Sequence, residues 1–115
     1  MDLLVKPLTG LLGLVLTLAG IAGFFVGDTL FMFHVDTTHN VVHLASGLAG
    51  LFAFGSSQLY SRWYLILLGL VYGVVTILGF ATGDIAGLFM VNAADNYLHL
   101  AIAAACLIVG FGSRR

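Results

Sequence analysis

The stretch LLGLVLTLAGIAGFFVGD, residues 11–28, recurs in altered form as LLGLVYGVVTILGFATGD, residues 67–84. Both strings are apolar almost throughout and close on the same Gly-Asp pair. With their flanks, each approaches the ~20 residues that carry a helix across ~30 Å of hydrocarbon. Sliding the chain by 56 residues aligns 11–54 with 67–110 without a gap and gives 18 identities in 44 positions. A greasy composition inflates matches of Leu, Val and Ala. It does not inflate Asp28/Asp84, Asn40/Asn96 or His43/His99, because those residue types are rare in this chain. The chain reads as two tandem copies of one unit.

Of 115 residues, 61% are hydrophobic and only 8% are charged, whereas soluble domains run at about 45–50% apolar and about 25% charged. So few charges cannot cover a soluble domain of this size. Four apolar stretches, residues 8–26, 37–54, 63–82 and 93–111, are expected to be transmembrane helices within one domain, with repeat halves at 8–55 and 63–111. A helix in lipid satisfies its own backbone, so the many glycines and β-branched residues are tolerated. The first stretch is not read as a secretory signal. Its apolar run exceeds the ~7–15 residues of a signal core, and it has a full counterpart in the third stretch. The expected fold is an all-α membrane protein, four transmembrane helices forming an up-down bundle from two tandem helical hairpins. Each copy contributes an even number of spans, so the repeats are parallel and not inverted. Short connections favour antiparallel neighbours. That places the second and fourth helices on the diagonal, with His43 and His99 at similar depth across the axis.

The charges set the orientation. Lys6, Arg62, Arg114 and Arg115 are all the basic residues, and they fall at the N-terminus, the second loop and the C-terminus. Four spans put those three places on one side, and basic residues collect on the cytoplasmic side. Both termini of this multi-pass protein of the cell membrane are therefore expected inside. The first and third loops, with Asp28, His34, Asp36 and Asp84, are expected outside. Tyr60, Trp63 and Tyr64 beside Arg62 mark the inner interface, where amphipathic rings settle. Pairs of small residues, Gly23/Gly27, Gly79/Gly83, Gly69/Gly73 and Ser46/Gly50, are expected to let helices approach closely. Cys106, the single cysteine, is read as an apolar packing residue.

The polar residues gather at two equivalent places. Asp36 and Asn92 suit the N-cap positions of the second and fourth helices, with His39 and Asp95 three residues on at the capping-box site. These four have a structural explanation as caps for orphan N–H groups. His34 is read as an interfacial loop residue. One turn deeper lie Asn40 and Asn96, and His43 and His99 follow at about 10 Å below the caps, taking ~1.5 Å per residue. Asn at i and His at i+3 share a face, which continues in small residues, so this polar core of Asn40, His43, Asn96 and His99 is expected to point inwards. Polar groups at such depth face the interior of a bundle and are candidates for function.

Three readings follow for that core. The first is an interhelical hydrogen-bond network reaching towards Asp28 and Asp84, in a non-enzymatic structural or accessory subunit. The second makes His43 and His99 ligands of haem or a transition metal, since imidazole suits Zn, Cu and Fe and bundle cores host such sites. Asp36, His39 and Asp95 are weighed as an outer completion of a metal site. The third is a proton or ion path, which finds no continuation in the first and third helices. No nucleophile–base pair or phosphate loop is present, and the glycines of residues 10–20 follow no strand, so an enzyme is not expected. Four basic residues exclude nucleic acid as a partner. The expected partners are the lipid bilayer and either copies of the chain or a larger membrane complex.

NVVHLASGLAGL (residues 40–51), VYGVVTILGF (71–80) and VNAADNYLHLAIA (91–103) resemble a family of small bacterial membrane proteins, domain-of-unknown-function family 4383. The resemblance covers roughly residues 6–111. It implies two tandem helical hairpins, each with an Asn-x-x-His-Leu signature at an outer helix start. The string NAADNYLHL is its most specific part, and Asp36 departs from it where the second copy has Asn92, a change that still permits capping. The resemblance implies fold and topology and supplies no activity.

Overall fold

A computed structural model describes residues 1–114, with Arg115 outside the described part. The elements follow in the order α1 (Asp2–Gly23), β1 (Thr29–Leu30), β2 (Phe33–His34), α2 (Thr37–Ser56), α3 (Gln58–Ala81), β3 (Asp84–Ile85), β4 (Phe89–Met90) and α4 (Ala93–Gly112). Each apolar stretch has become a helix. α1 and α3 begin six and five residues earlier than hydropathy alone suggests, and so take Lys6 and Arg62 in as their fifth residues. Ser57 starts α3 by accepting the Tyr60 N–H on its hydroxyl at 3.0 Å. Pro7 falls near the start of α1, where it removes only one backbone bond.

Three of the four helices, α1, α3 and α4, are long and apolar enough to cross a membrane. α2 has 20 residues, but Thr37, Thr38, His39, Asn40, His43 and Ser46 dilute its apolar run.

The α1–α2 and α3–α4 connections are more ordered than the plain loops expected there. Each is a small antiparallel hairpin, pairing Thr29 with His34 and Leu30 with Phe33 in the first, and Asp84 with Met90 and Ile85 with Phe89 in the second. Their tight turns place Phe31 and Ala86 at φ of 55° and 52°, a conformation unusual for residues with a side chain.

α1 lies along α2, and α3 along α4. The α1–α2 seam is backbone against backbone. A Cβ at Gly13 would fall 2.7 Å from the Leu51 nitrogen, and one at Gly20 2.6 Å from the Leu44 nitrogen. A Cβ at Gly47 would overlap Thr17. Small residues thus allow the van der Waals contact that replaces the hydrophobic drive between helices in lipid. Only one member of some expected glycine pairs serves this purpose. Gly23, Gly69 and Gly79 meet the neighbouring helix, whereas added methyl groups at Gly27 and Gly73 would meet nothing.

Leu12, Leu16, Leu65, Leu68, Tyr72, Ile102 and Cys106 build the shared core between the two hairpins, and Cys106 is fully buried there. The Tyr64 hydroxyl donates to the Ser46 carbonyl at 2.7 Å and ties α3 to α2. At the end carrying the basic residues, the Arg62 Nε donates to the Gly110 carbonyl at 3.0 Å, and the Gln58 amide donates to the Asp2 carbonyl at 2.9 Å. The other end, beneath the two hairpins, holds the buried polar residues.

Candidate metal centre

The centre is assembled from two helix starts. At α2, the Asp36 carboxylate accepts the His39 N–H at 2.8 Å. At α4, the Asn92 side chain accepts the Asp95 N–H at 2.9 Å, and the Asp95 carboxylate accepts the Asn92 N–H at 2.9 Å, closing a full capping box. The first copy has no such closure. The His39 backbone is capped, but its ring does not return to the Asp36 N–H as a capping-box residue would. An imidazole is too bulky to fold back as the Asp95 carboxylate does. Instead the ring turns inwards, is 1% exposed, and stacks on Phe89 of β4 with centroids 4.6 Å apart. His39 is therefore an interior residue.

The hairpins interlock with the opposite helices. The His34 N–H donates to the Asp95 carboxylate at 3.2 Å, and the Asn92 amide donates to the Met32 carbonyl at 3.0 Å. The His34 carbonyl lies 3.1 Å from Nδ1 of His39. His34 itself is half-buried, with its ring 3.7 Å from the Asp36 carboxylate.

Below this lattice three imidazoles converge. The His39 and His43 centroids are 4.2 Å apart, His39 and His99 5.5 Å, and His43 and His99 6.0 Å. One ring nitrogen from each lies within 4.8 Å of the others. Nε2 of His39, both nitrogens of His43 and Nδ1 of His99 are buried without a hydrogen-bond partner. Most buried polar atoms in proteins are satisfied, so four orphaned nitrogens in one place require an explanation.

The expected Asn/His network is not what fills this space. No hydrogen bond joins Asn40, His43, Asn96 and His99 among the described residues, and the side-chain oxygens of both asparagines are also unpartnered. Each asparagine lies instead in its own helix seam, Asn40 pressed on Gly23 and Asn96 on Gly79. Asp28 and Asp84 do not reach inwards. Asp28 accepts the Thr29 hydroxyl, and Asp84 accepts the Gly87 N–H within its own turn. Asp36 and Asp95, weighed as outer metal ligands, act as caps and lie outside the three-histidine group.

The donor set fits a metal ion and does not fit a haem held by His43 and His99. The three centroid distances place His39 within the radius of any porphyrin that those two rings would sandwich. For a single ion the fit is closer. Zinc–imidazole bonds of about 2.0–2.1 Å place ligand nitrogens about 3.4 Å apart, so nitrogens that lie within 4.8 Å of one another need to close by at most about 1.4 Å. The His34 carbonyl selects a tautomer of His39 with the proton on Nδ1, which leaves the lone pair on the orphaned Nε2. A carbonyl so placed is a common way of orienting an imidazole that binds a metal.

His39, read first as a capping residue and weighed only as an outer metal ligand with Asp36 and Asp95, lies instead within the group formed by His43 and His99. The available signal was its i, i+4 spacing from His43, which places both rings on one helix face. No curated protein and no solved structure matches the chain. The family described as domain of unknown function (DUF4383) matches residues 6–112, nearly the full length, and the chain belongs to that family.

Proposed function

We propose that this is a four-span protein of the cell membrane whose buried histidines, His39, His43 and His99, bind a transition-metal ion beneath its outer face. The observation that carries the reading is the convergence of three imidazoles with four unpartnered nitrogens. The four-span arrangement is supported by the α1–α2 seam, whose glycine contacts run from Gly13 to Gly23 and so hold α2 at the depth of α1. Two tandem parallel hairpins are supported by equivalent contacts in both copies, Gly23 on Asn40 and Gly79 on Asn96. The basic residues favour cytoplasmic termini. The role assigned to the site is binding.

A second reading is a structural or accessory subunit that self-associates or joins a larger membrane assembly, and the tight intramolecular glycine seam supports the structural part of it. Metal analysis separates the two. Purified from cells in detergent without chelator, the protein is expected to carry one metal ion per chain. His39→Ala, His43→Ala and His99→Ala should each lose it. Saturating metal should also raise thermal stability, by about 2.7 kcal/mol at a hundredfold excess over Kd. A folded protein that arrives metal-free and takes up neither copper nor zinc would leave the structural reading.

A further inference from the structure

We infer that the ion selected by this centre is monovalent copper, Cu(I), in preference to a divalent metal. This rests on the metal-binding reading above and adds the identity of the ion. Imidazole alone does not decide, because it accepts Zn, Cu, Fe and Ni alike. The surroundings of the three rings decide.

All three donors are neutral, and no cysteine, aspartate or glutamate joins the group among the described residues. His39, His43 and His99 are 1%, 6% and 2% exposed. Their rings pack on Phe89 and Tyr72, aromatic neighbours that supply no charge. The penalty for moving an ion from water into such a medium grows with the square of its charge, so a divalent ion is penalised about four times as heavily as a monovalent one.

The nearby charges match a single positive charge. Asp95 is 1% exposed and acts electrostatically on His39, with its carboxylate fixed by the His34 and Asn92 N–H groups. Asp36 also acts on His39 but has a side chain 35% exposed, where water screens it. One buried carboxylate beside one monovalent cation leaves the interior near neutrality. A divalent ion leaves an uncompensated charge there. Three nitrogens complete a trigonal Cu(I) site by themselves, whereas a three-histidine zinc site needs a water as its fourth ligand.

The experiment uses the full chain in detergent micelles under anaerobic conditions. Cu(I) is presented in competition with a bicinchoninate chelator, Ag(I) serves as a redox-inert probe of the same charge, and Zn(II) is titrated in parallel. One Cu(I) or Ag(I) per chain is expected, bound at least 100-fold more tightly than Zn(II), with X-ray absorption reporting three nitrogen neighbours. Asp95→Asn should weaken Cu(I) at least tenfold and narrow its margin over Zn(II), while Asp36→Asn changes the margin little. The wild-type selectivity is measured whether or not either variant folds. Zn(II) binding as tightly as Cu(I) overturns this inference and leaves the metal-binding reading standing. Uptake of none of the three ions overturns both.

Discussion

At Asp95 one carboxylate closes the capping box of α4 and accepts the His34 N–H of the other hairpin, so its loss exposes two unrelated donors at once. Removing a cap costs about 0.5–2 kcal/mol, and leaving a buried N–H unsatisfied adds about 1–3 kcal/mol. Asp95→Ala is therefore expected to lower stability by about 2–4 kcal/mol in detergent unfolding, and Asp95→Asn by less, since an amide oxygen still accepts. Asp28→Ala is the control. Asp28 is exposed and meets only the neighbouring Thr29 hydroxyl, so its change should stay within about 0.5 kcal/mol. A loss at Asp28 equal to that at Asp95 would contradict this account. The same position shows why part of the site was hidden in the sequence. His43/His99 and Asn40/Asn96 announced themselves by repetition and by depth. His39 stands three residues after Asp36, as Asp95 does after Asn92, and that spacing pointed first to a cap and only secondarily to an outer metal ligand. Only the fold shows its ring turning away from the helix start to meet Phe89, a residue 50 positions distant in the chain.

The helices were legible because hydrocarbon imposes length and apolarity on any span. The two β-hairpins were not, because strands of two residues leave no alternating pattern to read. Glycine function was legible only in part. A spacing of four identifies candidate contacts, but the neighbour that decides each one is a matter of helix rotation. The structure separates the cases at Gly47 and Gly73. A side chain at Gly47 would drive into the Thr17 backbone, which has no room to yield, while one at Gly73 meets nothing. Gly47→Val is expected to cost at least about 3 kcal/mol, the upper range for overpacking, and to separate α1 from α2. Gly73→Ala should be neutral or gain about 0.5–1 kcal/mol by removing backbone freedom from the middle of α3. Thermal unfolding of the pair in the same detergent checks the contrast, and equal effects would mean that the two seams are not as described.

For the molecule as a whole, the interlocked hairpins constrain topology more strongly than hydropathy does. Asn92 bonds Met32, Asp95 bonds His34, and Phe89 covers His39. These bonds support the four-span reading proposed above, in which both hairpins lie on one face of the membrane and α2 crosses it. An α2 held at the surface would put the two hairpins on opposite faces and break every one of these contacts. Crossing by α2 is also the arrangement in which its polar residues are tolerated. They face the bundle interior, where the second copy supplies a third imidazole in His99 and a carboxylate in Asp95. On the repeat and metal-binding readings together, the same position is a proposed ligand in one copy, His39, and a counter-charge in the other, Asp95. Cysteine labelling tests the topology directly. Cys106 is fully buried and serves as a silent background, while Phe31, Leu88 and Tyr60 are 86%, 65% and 58% exposed. With a membrane-impermeant maleimide on intact cells, Phe31→Cys and Leu88→Cys should both react, whereas Tyr60→Cys should react only after the membrane is opened. Reaction at position 31 with protection at 88 would place α2 outside the bilayer and overturn the four-span arrangement.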